Sequence, residues 1–135
     1  MQINSFYPVI CTDNVKESKA FYINHFKFET AFDSNWYVSL KSYGDPAFEL
    51  AILDHSHPTI PDGYRERAKG MLINMEVADA DREYGRLMKA RVPVVQEIRS
   101  EDFGQRHFIV RDPNGILIDV IQNIPPSEEF LSQYT

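Results

Sequence analysis

The sequence predicts an α+β protein built from a duplicated unit of one strand, one helix and three strands. Three observations carry that prediction. Phe6 lies seven residues before Asp13, and Leu72 lies seven before Asp79. Phe21-Tyr22 and Leu87-Met88 then fall at the same offsets from those two aspartates. Each half closes on an apolar run that contains one carboxylate, Glu49 in the first and Asp119 in the second, 36 and 40 residues beyond the aspartate. Self-similarity at a fixed period is a fold signature, because each copy is one supersecondary unit.

The elements follow in order. Residues 3–11 are β-branched and aromatic, with Pro8 marking an edge or irregular position because it has no N–H to give a ladder. Thr12-Asp13-Asn14 offers side-chain oxygens to the bare N–H groups of a helix start. Val15, Ser18, Tyr22 and Phe26 then recur at helical spacing, predicting a helix over 15–25. Strands are expected at 28–32, 36–41 and 47–53, the last two separated by the turn signal Tyr43-Gly44-Asp45-Pro46. Residues 55–69 hold Pro58, Pro61 and Gly63 and read as a linker. The second copy predicts a strand at 71–77 and a helix at 79–89. Strands follow at 93–98, 105–111 and 116–121, with turns at 100–104 and at Asp112-Pro113-Asn114-Gly115. Pro125-Pro126 ends the last strand, and Ser127 can cap a tail helix bearing Phe130, Leu131 and Tyr134.

The chain has 135 residues, a single-domain length, divided in this reading into modules at 3–54 and 70–123 with a tail at 124–135. Composition is 43% hydrophobic and 25% charged, which suits a globular core. Nothing resembles a secretory leader or an apolar span, so the chain reads as cytoplasmic, with no membrane partner. One cysteine, Cys11, can form no internal disulfide. A formal charge of −6 argues against a nucleic-acid partner, whose binding rests on Lys and Arg neutralising phosphates. It is compatible with a cationic small molecule or with solubility alone.

The strand–helix–three-strand order, taken twice, resembles the vicinal oxygen chelate superfamily. That superfamily holds glyoxalase I, extradiol dioxygenases, fosfomycin-modifying enzymes and bleomycin-type resistance proteins. The resemblance rests on Thr12-Asp13-Asn14-Val15 with Ser18 and Phe21-Tyr22. In the second copy it rests on the run from Gly104 to Asp119 through the Asp-Pro-Asn-Gly turn. It implies two βαβββ modules whose curved mixed sheets form a cleft with the helices outside, and a homodimer. Enzymes of the family take divalent-metal ligands from the first and last strands of the modules. The positions carried over here are Phe6, Glu49, Leu72 and Asp119, two of which have no donor atom. A catalytic divalent site generally wants three protein ligands with imidazole among them. No metal and no other cofactor is therefore expected.

Glu49 and Asp119 each sit in an apolar strand, where a carboxylate is costly unless paired. One reading gives each a Tyr, Arg or backbone donor; the other has both facing a cleft and holding a donor-bearing ligand. His107 can be a general base or merely a hydrogen-bonded imidazole, and Arg106 can pair with a ligand or with Glu49 or Asp119. His55 and His57 form an i, i+2 pair in a Pro-bounded loop. Trp36, Tyr37, Tyr43, Phe48, Phe103 and Phe108 lie on or beside strands, and Trp36 is the preferred ligand contact. No Ser/His/Asp order, P-loop or dinucleotide fingerprint is present, so no catalytic set is assigned. The residues favour a metal-free small-molecule-binding protein whose ligand, amphipathic or aromatic, meets Phe6, Trp36, Glu49, Leu72 and Asp119. The alternative is a metal-dependent lyase or transferase resembling glyoxalase I, with His55, His57 or His107 as substitute ligands.

Overall fold

The computed structural model describes residues 1–133, so the Tyr134 of the expected tail helix lies outside the described residues. The elements run β1 (Val9–Thr12), α1 (Val15–Phe26), β2 (Phe28–Asp33), β3 (Tyr37–Ser42) and β4 (Glu49–Asp54). They continue as β5 (Leu72–Glu76), α2 (Ala80–Lys89), β6 (Val94–Glu101), β7 (Gln105–Arg111), β8 (Leu117–Asn123) and α3 (Glu128–Ser132). They form two compact units, Met1–Lys69 and Gly70–Thr135. Each unit holds a four-stranded mixed sheet, ordered β1-β4-β3-β2 in the first and β5-β8-β7-β6 in the second.

In both sheets the first strand pairs parallel with the last and the others run antiparallel. A parallel partner needs a long crossover, which the helix and two strands supply. The first strand is shorter than the sequence suggests. Residues 3–8 are not strand, although the Pro8 carbonyl still accepts from Ala51 N–H at 3.0 Å. Pro8 lacks the N–H that would continue the ladder, and β1 lies at a sheet edge as that residue implies. Conversely β6 extends to Glu101, through residues expected to turn; the turn is compressed into Asp102–Gly104. Gly104 has φ +106°, and a Cβ there would stand 2.9 Å from the Ile124 carbonyl oxygen, so the tight return fits only glycine.

One helix covers one face of each sheet. In the first unit Tyr22 of α1 meets Phe28 edge-on at 6.0 Å, and the Thr12 and Ser18 hydroxyls are 3.0 Å apart. Ile10, Val38, Leu40, Leu50 and Ile52 are buried on that face. In the second unit Tyr84 of α2 packs on Phe108 at 5.0 Å, with Leu87, Val110, Ile118 and Val120 buried. Phe108 is therefore core, not a cleft-lining aromatic. Arg106 points to this same side and makes a two-pronged pair with Asp81 at 2.7 and 2.8 Å, rather than with Glu49 or Asp119. Because side chains alternate along a strand, the odd-numbered residues of β3, β4, β7 and β8 all face away from the helices.

The caps and ladders fix how the copies correspond, and they correct the spacing read from sequence. The α1 N-cap is Asn14, whose Oδ1 accepts from Glu17 N–H at 3.0 Å; the α2 N-cap is Asp79, accepting from Arg82 N–H at 3.1 Å. Asp13 instead pairs with Arg67 at 3.0 Å. With Asn14 matched to Asp79, Val9 corresponds to Asn74. Since Val9 pairs with Ala51 and Asn74 pairs with Asp119, Asp119 matches Ala51 rather than Glu49. By the same register Leu72 matches Tyr7 rather than Phe6, Leu117 matches Glu49, and His107 matches Tyr37. Three adjacent polar residues ahead of α1 made the one-residue slip invisible in sequence.

This assignment is testable. Asn14→Ala should cost about 1 kcal/mol in urea unfolding, the scale of a lost N-cap. Asp13→Ala should cost less than about 0.5 kcal/mol, since its partner is an exposed arginine. Equal losses would contradict the cap assignment.

Candidate functional site

The open face of the second sheet carries a polar cluster centred on His107. The ring is only 6% exposed. Its Nδ1 lies 2.8 Å from Asp119 Oδ1 and its Nε2 lies 3.0 Å from Glu101 Oε2. An imidazole bonded by carboxylates at both nitrogens can satisfy both only as the doubly protonated cation. Burial by itself would lower the His107 pKa; the hydrogen bonds to Glu101 and Asp119, with their charges, outweigh it and raise the group above its ordinary value. Glu101 is correspondingly held below the usual carboxylate range, first by His107 and then by Arg99, whose Nε and Nη2 also reach it at 3.2 and 3.1 Å.

Local structure puts these groups together. The Asp-Pro-Asn-Gly turn joins β7 to β8: Asp112 Oδ1 accepts from Asn114 N–H and Ile116 N–H, at 2.8 and 2.9 Å. That turn sets the register in which His107 faces Ile121 and Asp119 faces Ile109. Register shifts in β6 between Val94 and Gln96, and between Gln96 and Arg99, set Gln96 opposite Ile109 and Arg99 opposite His107. Such bulges re-aim side chains. Asn74 of β5, the partner of Asp119, completes the row. Gln96, Arg99, Glu101 and Asn74 were not singled out from sequence. Period-two alternation between β6 and β7 was the available signal, but the bulges break it.

The open face of the first sheet differs. The phenol of Tyr37, the counterpart of His107, is pushed upward by burial first, then by Tyr7 and by the Glu49 charge. Ser5 donates to Glu49 Oε2 at 3.0 Å. Phe6 precedes β1 and is 83% exposed. Trp36 continues the β3 ladder, its carbonyl accepting from Asp54 N–H at 2.9 Å. Alternation therefore turns Trp36 toward the opposite face from Tyr37 and Glu49. There it stacks on His57, with ring centroids 3.7 Å apart and planes 8° from parallel. His57 Nδ1 also accepts from Thr59 N–H, while His55 Nδ1 lies 3.4 Å from the Arg65 carbonyl. Tyr43, Phe48 and Phe103 are exposed. Among the described residues no hydrogen bond or ring contact joins His55 and His57 as a pair.

The donor set does not suit the divalent metal that the family resemblance suggests. Leu72 and its counterpart Tyr7 bring no imidazole, and Asp119 spends one oxygen on His107. The His107 nitrogens bond outward to two different carboxylates, so the three groups do not converge. Among the described residues no group of three or more His, Cys, Asp or Glu side chains is placed to hold a metal ion.

Comparison with known proteins agrees with this architecture. The model of the Glyoxalase/Bleomycin resistance protein/Dioxygenase superfamily matches residues 3–120, and the chain belongs to that superfamily. Solved structures share the fold at low identity. A glyoxalase/bleomycin resistance protein/dioxygenase from Nocardioides is 14% identical, with a TM-score of 0.75 over 92% of this chain and 86% of its own. A lactoylglutathione lyase from Agrobacterium tumefaciens is 19% identical, with a TM-score of 0.71 over 90% and 95%. TioX from Micromonospora sp. ML1 is 18% identical, with a TM-score of 0.69 over 90% and 100%. Curated proteins give no sequence match. Among the described residues no helix is long and apolar enough to cross a membrane.

The His107 network has a defined pH signature. Its raised pKa means that the imidazolium's stabilising contribution is fully present below about pH 6.5 and is lost as pH rises through the raised folded value. The lowered Glu101 pKa adds a contribution lost as pH falls through its folded value. His107→Gln should cost about 2–3 kcal/mol at pH 6, because a partner is removed from two partly buried carboxylates. Urea unfolding across pH should show the gap between native and variant narrowing on the alkaline side; a gap that widens there would contradict the network.

Proposed function

We propose that this protein binds a small molecule without a metal, using the helix-free faces of its sheets, in the manner of the bleomycin-type resistance members of its superfamily. The observation that carries the reading is the hydrogen bond between His107 and Asp119. The carboxylate at a family metal-ligand position is already occupied by an internal cation, and the strand paired with it contributes Leu72 and Asn74 instead of an imidazole. What remains on these faces is aromatic and aliphatic surface with a few polar groups, the composition of a small-molecule site. The ligand is amphipathic or aromatic. Glu49, Leu72 and Asp119 contribute from the helix-free faces, and Phe6 lies exposed beside Tyr7.

The same proposal includes a homodimer. β1 and β2, and β5 and β6, are sheet edges with unpaired ladder groups, and a twofold partner removes such edges. Sedimentation should show a species of twice 15.7 kDa at micromolar concentration. A species that stays monomeric there contradicts this part.

Purification without chelator should yield protein holding well under one equivalent of zinc, nickel, iron or manganese. Dialysis against EDTA should leave thermal stability and ligand affinity unchanged. Stoichiometric metal whose removal abolishes binding would overturn the reading in favour of a glyoxalase-like lyase.

A further inference from the structure

We propose that the open face of the first sheet is a subsite for the flat aromatic cation class, such as an aromatic amidinium or ammonium, with Phe32, Tyr37 and Tyr7 as its floor and Glu49 as its counter-charge. This inference rests on the small-molecule-binding reading above and names the ligand chemistry for one of its faces.

Four observations converge. First, the bulge between Thr30 and Phe32 brings Phe32 opposite Ser39, and so onto the face of Tyr37, although strict alternation from Thr30 would leave the pattern elsewhere. Phe32 is 57% exposed there, an unusual cost for a phenylalanine on a strand, and its ring lies 6.3 Å from that of Tyr37. Second, Tyr7, just ahead of β1, and Tyr37 of β3 flank β4, and Tyr7 is near enough to help raise the Tyr37 phenol. Rings at these spacings present π-faces that attract cations and stack on flat groups.

Third, Glu49 opens β4 on this face. Ser5 donates to its Oε2, and among the described residues no hydrogen bond reaches its other oxygen. Lys41 is its cross-strand neighbour, yet no ion pair joins them, so the carboxylate charge is not spent. Fourth, the positions between the rings and Glu49 are small or apolar: Ser39, Ala51 and Leu53 occupy them, while Lys41 and its β2 partner Glu29 stand to the other side of Glu49. An aromatic floor beside an unpaired carboxylate oxygen is complementary to a planar cation that carries N–H donors, and a charge-assisted hydrogen bond to it is stronger than a neutral one. An anionic or purely aliphatic ligand would waste both features.

The test uses the full chain with benzamidinium and its neutral isostere benzamide. Binding is followed by amide chemical shifts and by the fluorescence of Trp36, the only tryptophan, whose ring lies 5.8 Å from Tyr37. Benzamidinium should bind about tenfold more tightly than benzamide and shift the amides of Phe32, Tyr37 and Glu49. Glu49→Gln should bring the two affinities to within about twofold of one another. Phe32→Ala should weaken both probes by a similar factor, about tenfold. Circular dichroism confirms that each variant is folded. Equal affinity for the two probes in the native protein, or a preference that survives Glu49→Gln, overturns the cation subsite while leaving the metal-free binding reading in place. If neither probe binds and the protein carries stoichiometric metal, both fall.

Discussion

One constraint organises the molecule: each sheet has a single helix, and that helix can cover only one face. The period-two alternation of the strands then sorts every side chain. Ile10, Val38, Leu50 and Ile52 in one unit, and Phe108, Val110, Ile118 and Val120 in the other, go to the covered side and make the cores. Their neighbours along the chain go to the other face whatever their chemistry. A carboxylate such as Asp119 is thereby placed on the face away from the helix, where it is still only 8% exposed. It needs a partner within its own sheet or from a ligand.

The two units answer that need differently from equivalent positions. Tyr37 and His107 occupy the same place in the two ladders, yet one is a phenol beside Tyr7 and the other an imidazole held between two carboxylates that raise its pKa. The second unit is internally neutralised: His107 and Arg99 balance Asp119 and Glu101. In the first, among the described residues, Ser5 alone hydrogen-bonds the Glu49 carboxylate, and Lys41 lies across the ladder from it without an ion pair. A duplicated fold thus carries two unlike faces.

Much of the fold was legible in the chain. The helical spacing of Val15, Ser18, Tyr22 and Phe26 and the Asp-Pro-Asn-Gly turn are local signals, and the elements formed where those signals stand. The site was less legible, for identifiable reasons. Asp13 and Asn14 are both competent caps, and only the hydrogen bond to Glu17 N–H distinguishes them. That single step moved the counterpart of Leu72 from Phe6 to Tyr7. Glu49 and Asp119 look alike in sequence because both sit in apolar runs, but the parallel ladders place them at different steps. Trp36 was drawn to the ligand by its chemistry, whereas strand parity turns it to His57. Glu101 reached His107 through bulges, which no periodicity encodes, and Gln96 Nε2 came within 3.4 Å of its Nε2 the same way.

The central claim is that an imidazolium, and not a metal ion, neutralises Asp119. The most direct measurement is the imidazole nitrogen NMR spectrum of His107 in protein purified without chelator, near pH 6 and before and after EDTA. The account predicts two protonated ring nitrogens, both unchanged by the chelator. An unprotonated nitrogen with a metal-coordinated shift that EDTA abolishes would contradict it.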